Sequence, residues 1–165
     1  MFDSVYDDIS SDTVSQICSI VHSQKTSVTI EIMDVLKQCG STDCGLFALA
    51  FGTSLCVGEL PSEKRYIQSD LRAQLHSCFE SNNPSPQPFP SSNRQKVPTS
   101  FIKKTMVVLV FCHCRLPEEG NMIECCQCAE WFHEKCETVD QQVWEKEEID
   151  WVCKECSSRH PKRKN

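Results

Sequence analysis

Apolar side chains recur along this chain at two different periods, and the switch between them marks out its elements. From Ser11 to His22 the positions Val14, Ile17, Cys18 and Val21 lie three or four apart. That spacing puts them on one helical face, with Ser10 or Ser11 available as the cap. Val28, Ile30 and Ile32 then alternate with polar or smaller residues, the pattern of a half-buried strand. Asp43 opens a strongly apolar helix through Leu46, Phe47, Ala50, Phe51 and Leu55, and Gly58 ends it. A second helix is predicted over residues 68–80, burying Leu71, Leu75 and Phe79. The β-branched run from Val107 to Phe111 reads as a short strand. Between these regions fall five of the eight prolines, from Pro84 to Pro98, among Ser, Asn and Gln. Such a stretch buries too little apolar area to order itself, and proline keeps it extended. The expected class is α+β: a mixed region over 1–80, a disordered Pro/Ser-rich linker over 81–104, a small unit over 105–158 and a basic tail over 159–165.

The cysteines change this picture. Seven of the thirteen join one histidine in four close pairs: Cys112-x-Cys114, Cys125-x-x-Cys128, His133-x-x-Cys136 and Cys153-x-x-Cys156. Thiolates and an imidazole at such separations bite a tetrahedral zinc ion at roughly 2.3 Å for sulfur and 2.0–2.1 Å for nitrogen. Eight ligands describe two zinc sites. Every coordination position is then filled by protein, so no place is left for water or substrate and both ions are structural. A segment this short cannot fold on buried apolar surface alone, so metal binding supplies the missing free energy. No secretory signal is evident, which favours metal pairing over disulfides. Cys126, between two ligands, and the competing His113 and His160 are read as unligated.

The ligand order of four cysteines, one histidine and three cysteines resembles that of the PHD finger. Phe111 before the first ligand, Trp131-Phe132-His133 around the fifth and Trp151 before the seventh resemble that family as well. So does the run from Cys112 through Leu116-Pro117 to Met122-Ile123-Glu124-Cys125. A RING domain would place a Cys-x-His pair in the middle of the series. The resemblance covers residues 110–157 and implies cross-bracing, with Cys112, Cys114, His133 and Cys136 on one zinc and Cys125, Cys128, Cys153 and Cys156 on the other. It also implies binding of the histone H3 N-terminal tail. In methyl-lysine-reading fingers, an aromatic before the first ligand and the tryptophan two before the histidine form a cage. Here those positions are Phe111 and Trp131, with Met122 as a further wall. Such a cage holds a quaternary ammonium by cation–π attraction. Glu118 stands where similar fingers carry another aromatic. Residues 120–124 would be the strand edge that receives the peptide, with Glu118, Glu119 and Glu124 facing basic tail groups. Trp151 matches the family's core tryptophan.

A second resemblance lies in the first part of the chain. Gln38 precedes Cys44 by six residues, within Gln-Cys-Gly-Ser-Thr-Asp-Cys-Gly-Leu-Phe-Ala. This resembles the nucleophile region of Ulp-type cysteine proteases, papain-like enzymes that act on SUMO and ubiquitin-like proteins. In that family the glutamine donates to the oxyanion and the cysteine attacks from a helix N-terminus, where the dipole favours a thiolate. Asp3 resembles the orienting aspartate. The catalytic histidine of the family would lie before residue 1, and His22 falls in the wrong order. A cysteine nucleophile needs a base, so the expectation is a truncated remnant without activity, whose candidates are Cys44, Gln38 and Asp3. The alternative is a ubiquitin-like-protein protease or pseudo-protease with the finger as its targeting device.

Net charge is −6, which argues against a general nucleic-acid binder. The tail residues Arg159, Lys162, Arg163 and Lys164 are the exception and suit DNA phosphates. No apolar run approaches the roughly 18 residues of a membrane span. The expected setting is the nucleus.

Overall fold

The computed structural model describes residues 1–81, 87–95, 100–144 and 150–159. Among these residues are five α-helices, α1 (Ser11–Val21), α2 (Cys44–Cys56), α3 (Leu71–Glu80), α4 (Gln141–Trp144) and α5 (Lys154–Arg159). Six strands accompany them, β1 (Ser27–Met33), β2 (Lys64–Tyr66), β3 (Ser91–Asn93), β4 (Ile102–Leu109), β5 (Met122–Glu124) and β6 (Trp131–His133). The strands form three two-stranded sheets, β1 with β4, β2 with β3 and β5 with β6. The architecture is α+β with small sheets. Two compact units divide the chain: residues 1–9 with 30–106, and residues 10–29 with 107–165.

The first unit is organised by α2. Leu46, Phe47, Ala50 and Phe51 are buried at the spacing expected of one helical face, and they meet Val35, Tyr66, Leu71 and Phe89. Phe47, Phe51 and Tyr66 pack as a trio of tilted and edge-on rings, with centroids 5.4 to 6.1 Å apart. The Tyr66 hydroxyl shares a 2.8 Å hydrogen bond with Ser54, itself buried on α2. Ser54 thus takes the fifth buried position on that helix, while Leu55 points outward. Gly58, at φ +78, follows the end of α2 and takes the left-handed turn there at little cost.

Three sequence expectations meet a different structure. Phe79 is 81 % exposed, not buried. At 3.6 residues per turn it lies about 80° around α3 from Leu71, whereas Leu75 stays on the inward stripe. Val21, in the last turn of α1, is likewise exposed. The stretch read as a linker contributes Phe89 to the core and β3 to a ladder with β2, pairing Tyr66 with Ser91 and Lys64 with Asn93. Arg94 completes this fixation. Its guanidinium reaches the Ser62 carbonyl at 3.0 Å and the Asp34 carboxylate at 3.1 Å. Pro84, Pro86 and Pro98 lie outside the described residues.

In the second unit α1 begins where Ser10 accepts a hydrogen bond from the Thr13 N–H at 3.2 Å, satisfying one free donor of the first turn. Cys18 on this helix is fully buried, as is Val110 just after β4. The Val110 N–H donates to the Thr26 carbonyl at 3.0 Å. Beyond Val110 the described residues form only short helices and strands, and cysteines replace aliphatic side chains in the interior. Cys112, Cys125, Cys153 and Phe132 form that core, with Ile123, Trp151 and Val152 packed against it.

Candidate metal centres and a neighbouring cavity

Two tight turns present the first two ligand pairs. After Cys112 and Cys114 the chain reverses at Arg115 (φ 54), and after Cys125 and Cys128 at Ala129 (φ 55). Left-handed backbone is unfavourable for residues with a Cβ. Hydrogen bonds across each turn, Arg115 N–H to the Cys112 carbonyl and Ala129 N–H to the Cys125 carbonyl, hold the conformation. Strand β6 supplies His133, one turn later comes Cys136, and the start of α5 brings Cys153 and Cys156.

These elements bring the eight ligands into two groups. Cys112, Cys114, His133 and Cys136 form one and Cys125, Cys128, Cys153 and Cys156 the other, with all donor atoms of a group within 4.8 Å of one another. The pairing is cross-braced. His133 Nδ1 lies 3.4 Å from the Cys114 sulfur, close to the edge of roughly 3.6 Å that a zinc tetrahedron with these bond lengths requires. Thiols packed this closely, with or without an imidazole among them, call for a cation. Burial, then the neighbouring thiols of Cys114 and Cys112, push Cys136 up to about 12. Cys153 beside it, and then burial, push Cys156 up to about 12 as well. At Cys125 burial acts upward too, but N–H groups of Cys153, Cys128 and Gln127 outweigh it and bring the thiol down to about 6. A divalent ion in each group removes the conflict by holding the ligands as thiolates. The donor sets, three cysteines with a histidine in the first group and cysteines alone in the second, suit structural zinc.

The second nitrogen of His133 has its own partner. Its Nε2–H donates to the Pro117 carbonyl at 2.8 Å, which fixes the tautomer that leaves Nδ1 free for metal. The same bond anchors Pro117, and through it Glu118, beside β6. Glu130 plays a similar part on the other side, accepting from the Cys112 N–H at 2.9 Å and lying 3.4 Å from Arg115. Sequence reasoning missed both contacts. A backbone carbonyl carries no residue-type signal, and one glutamate among several carries little.

Next to the first metal group is a cavity of about 250 Å³ lined by Phe111, Glu118, Met122 and Trp131. Two short pairings assemble it. Phe111 bridges to Leu116, its N–H donating to the Leu116 carbonyl at 3.0 Å. In the β5–β6 ladder Met122 faces His133 and Glu124 faces Trp131, so these four side chains share one side of the sheet. Ile123 and Phe132 take the other side and enter the core. Trp131 remains 42 % exposed. Trp151 does not. It packs edge-on against Phe132 with centroids 5.5 Å apart. Glu119 is paired with Lys135 at 3.0 Å, whereas Glu118 and Glu124 have no ion-pair partner among the described residues. Arg159 pairs with Glu155; His160 and the remaining basic tail lie outside the described residues.

Cys44 stands exposed at the first position of α2 and shares a cavity of about 200 Å³ with Asp3 and Phe51. The other two catalytic candidates, Asp3 and Gln38, are engaged elsewhere. Asp3 accepts from the N–H groups of Val5 and Tyr6 at 2.7 and 2.8 Å, a local turn. The Gln38 amide donates to the Gly40 carbonyl and accepts from the Ser4 hydroxyl. Among the described residues no histidine lines this cavity.

Curated proteins resemble a segment about as long as the zinc unit. It is 44 % identical over 50 residues, 30 % of this chain, to the Lid2 complex component lid2 of Schizosaccharomyces pombe. It is 43 % identical over 58 residues, 33 % of this chain, to the lysine-specific demethylase phf2 of Danio rerio. This segment is consistent with a PHD finger. Protein mlo2 of S. pombe is similar too, at 40 % over 47 residues. The matches span only 3 %, 5 % and 14 % of those proteins. No family model matches the chain, and no solved structure does. Nothing in these comparisons supports a Ulp-type domain in the first unit. Among the described residues no helix is long and apolar enough to cross a membrane.

Proposed function

We propose that the zinc-organised segment is a binding module for the N-terminal tail of histone H3, with a methylated lysine seated in the cavity of Phe111, Met122, Trp131 and Glu118. The observation that carries this reading is the cavity itself. Two aromatic rings and a thioether converge there, and a large tryptophan stays in water at 42 % exposure where a structural role would bury it. Its 250 Å³ is below the roughly 300–1,000 Å³ of small-molecule sites, a size suited to one side-chain head group. Strand β5 pairs on one side only, with β6, so its other edge is open among the described residues to an added peptide strand. Glu124, on that strand and without an ion-pair partner among the described residues, suits a tail arginine or the free amino terminus. The resemblance to a segment of a protein named as a lysine-specific demethylase agrees with a lysine-centred function. The zinc ions would be structural and the role binding, not catalysis. Its setting would be chromatin in the nucleus, with the basic tail near DNA phosphates.

Titrating H3 tail peptides into the zinc-loaded full chain tests the reading. Methylated peptides are expected to bind several-fold more tightly than the unmodified one, because a bare ammonium keeps its hydration and the cage offers it few acceptors. Equal binding to every methylation state, with no loss on Trp131→Ala, would reject it.

A further inference from the structure

Resting on that reading, we infer that the pocket selects dimethyl-lysine over trimethyl-lysine, because the fourth wall of its cage is the unpaired carboxylate of Glu118. The lining has two aromatic rings, one methionine and one acid. The neighbouring Glu119 is already held by Lys135 at 3.0 Å, and Glu134 accepts from the Asn121 amide at 3.0 Å. Glu118 alone among these three has no hydrogen-bonding or charged partner in the described residues. Its backbone is held beside the cavity, since the preceding Pro117 carbonyl accepts the His133 Nε2–H, while its side chain stays exposed.

A carboxylate in a cage wall treats the four states of lysine differently. Trimethylammonium has no N–H, so Glu118 would lose water in exchange for a charge it cannot hydrogen-bond. Dimethylammonium retains one N–H, which can donate to Glu118 while its two methyl groups meet Phe111, Trp131 and Met122. That bond is charge-assisted on both sides and therefore among the stronger kind. Monomethyl and unmodified lysine carry two and three N–H donors, and the cavity lining offers one acidic side chain. Their remaining donors would be desolvated without a partner. One acceptor matches one N–H.

The test is calorimetric titration of the zinc-loaded full chain with four peptides of the H3 tail, differing only in the methylation of the lysine nearest its start. Wild type is expected to bind the dimethyl peptide roughly tenfold more tightly than the trimethyl one. Glu118→Gln should bring the two within about twofold, and Glu118→Phe, which supplies an apolar wall, should reverse the order. Both variants change an exposed side chain, so zinc content and melting are expected to match wild type. Trimethyl preference in wild type, or an order that neither variant changes, would overturn this inference while leaving the methyl-lysine reading intact. No binding by any peptide would overturn both.

Discussion

The two tryptophans flanking Phe132 supply an internal control for separating recognition from folding. Trp131 is 42 % exposed and lines the cavity, so Trp131→Ala removes a half-exposed ring that lies outside the buried core around Phe132. Its cost in unfolding free energy should be about 1 kcal/mol, the ordinary scale of a point substitution outside the core. Its cost in binding should be larger. A tryptophan face over an alkylammonium contributes roughly 0.5–2 kcal/mol, depending on how dry the site is. A loss of about 2 kcal/mol is close to a thirtyfold rise in Kd. Trp151 makes the opposite trade. Its ring meets Phe132 at 5.5 Å and 66° in the core shared with Cys112, Cys125 and Cys153. Trp151→Ala should therefore cost about 3–5 kcal/mol of stability, a large fraction of the roughly 5–15 kcal/mol typical of a domain. Denaturant unfolding with excess zinc, paired with peptide titration for each variant, reads both quantities. If Trp131→Ala destabilised as much as Trp151→Ala, or bound methylated peptide like wild type, assigning Trp131 to recognition would be wrong.

Two other outcomes follow from the same structure. A strong chelator should unfold residues 107–157, seen as loss of the near-ultraviolet signals of Trp131 and Trp151, and acid should weaken zinc binding because thiolates are protonated as pH falls; a segment that stays folded after chelation would contradict the metal-based core. Asp7 lies 2.6 Å from Lys103 and 2.9 Å from Lys37, and hydrogen bonds from these two lysines hold its carboxyl at about 2. Because the folded value lies below the ordinary carboxylate range near 3.9, this pairing stabilises fully above about pH 4 and fades as pH falls toward about 2. A carboxyl titration of Asp7 followed by NMR should show the low midpoint, and Lys103→Ala should raise it; an ordinary midpoint in wild type would sink the assignment.

What the sequence disclosed, and what it hid, divides along the range of the interactions concerned. Zinc ligands come in local pairs because two donors one or two residues apart can share an ion, so Cys112 with Cys114 and Cys125 with Cys128 are visible to spacing alone. Which pairs share an ion depends on the chain path between them, which spacing alone does not show; the resemblance implies the cross-braced grouping that the donor atoms adopt. Helices α1 and α2 were legible because their apolar periods are uninterrupted. Phe79 was misplaced for a related reason: in a ten-residue helix, the phase of one residue in the last turn is set by tertiary contacts and not by its neighbours. Composition over residues 81–104 averaged away two fixed points, Phe89 in the core and Arg94 between Ser62 and Asp34. The Pro117 carbonyl that orients His133 could not have been read from residue types at all. Gln38 and Cys44 have the local spacing of a nucleophile region, yet a catalytic site is a long-range object. In this structure Asp3 and Gln38 direct their polar atoms into nearby backbone and Ser4.

The most direct test of a zinc-supported reader pocket is NMR shift mapping on the zinc-loaded chain as a methylated H3 tail peptide is added. The largest changes should fall on the Trp131 indole, the Met122 methyl, Phe111 and the backbone amides of Met122 to Glu124. Perturbations confined to other surfaces, or none at saturating peptide, would contradict it.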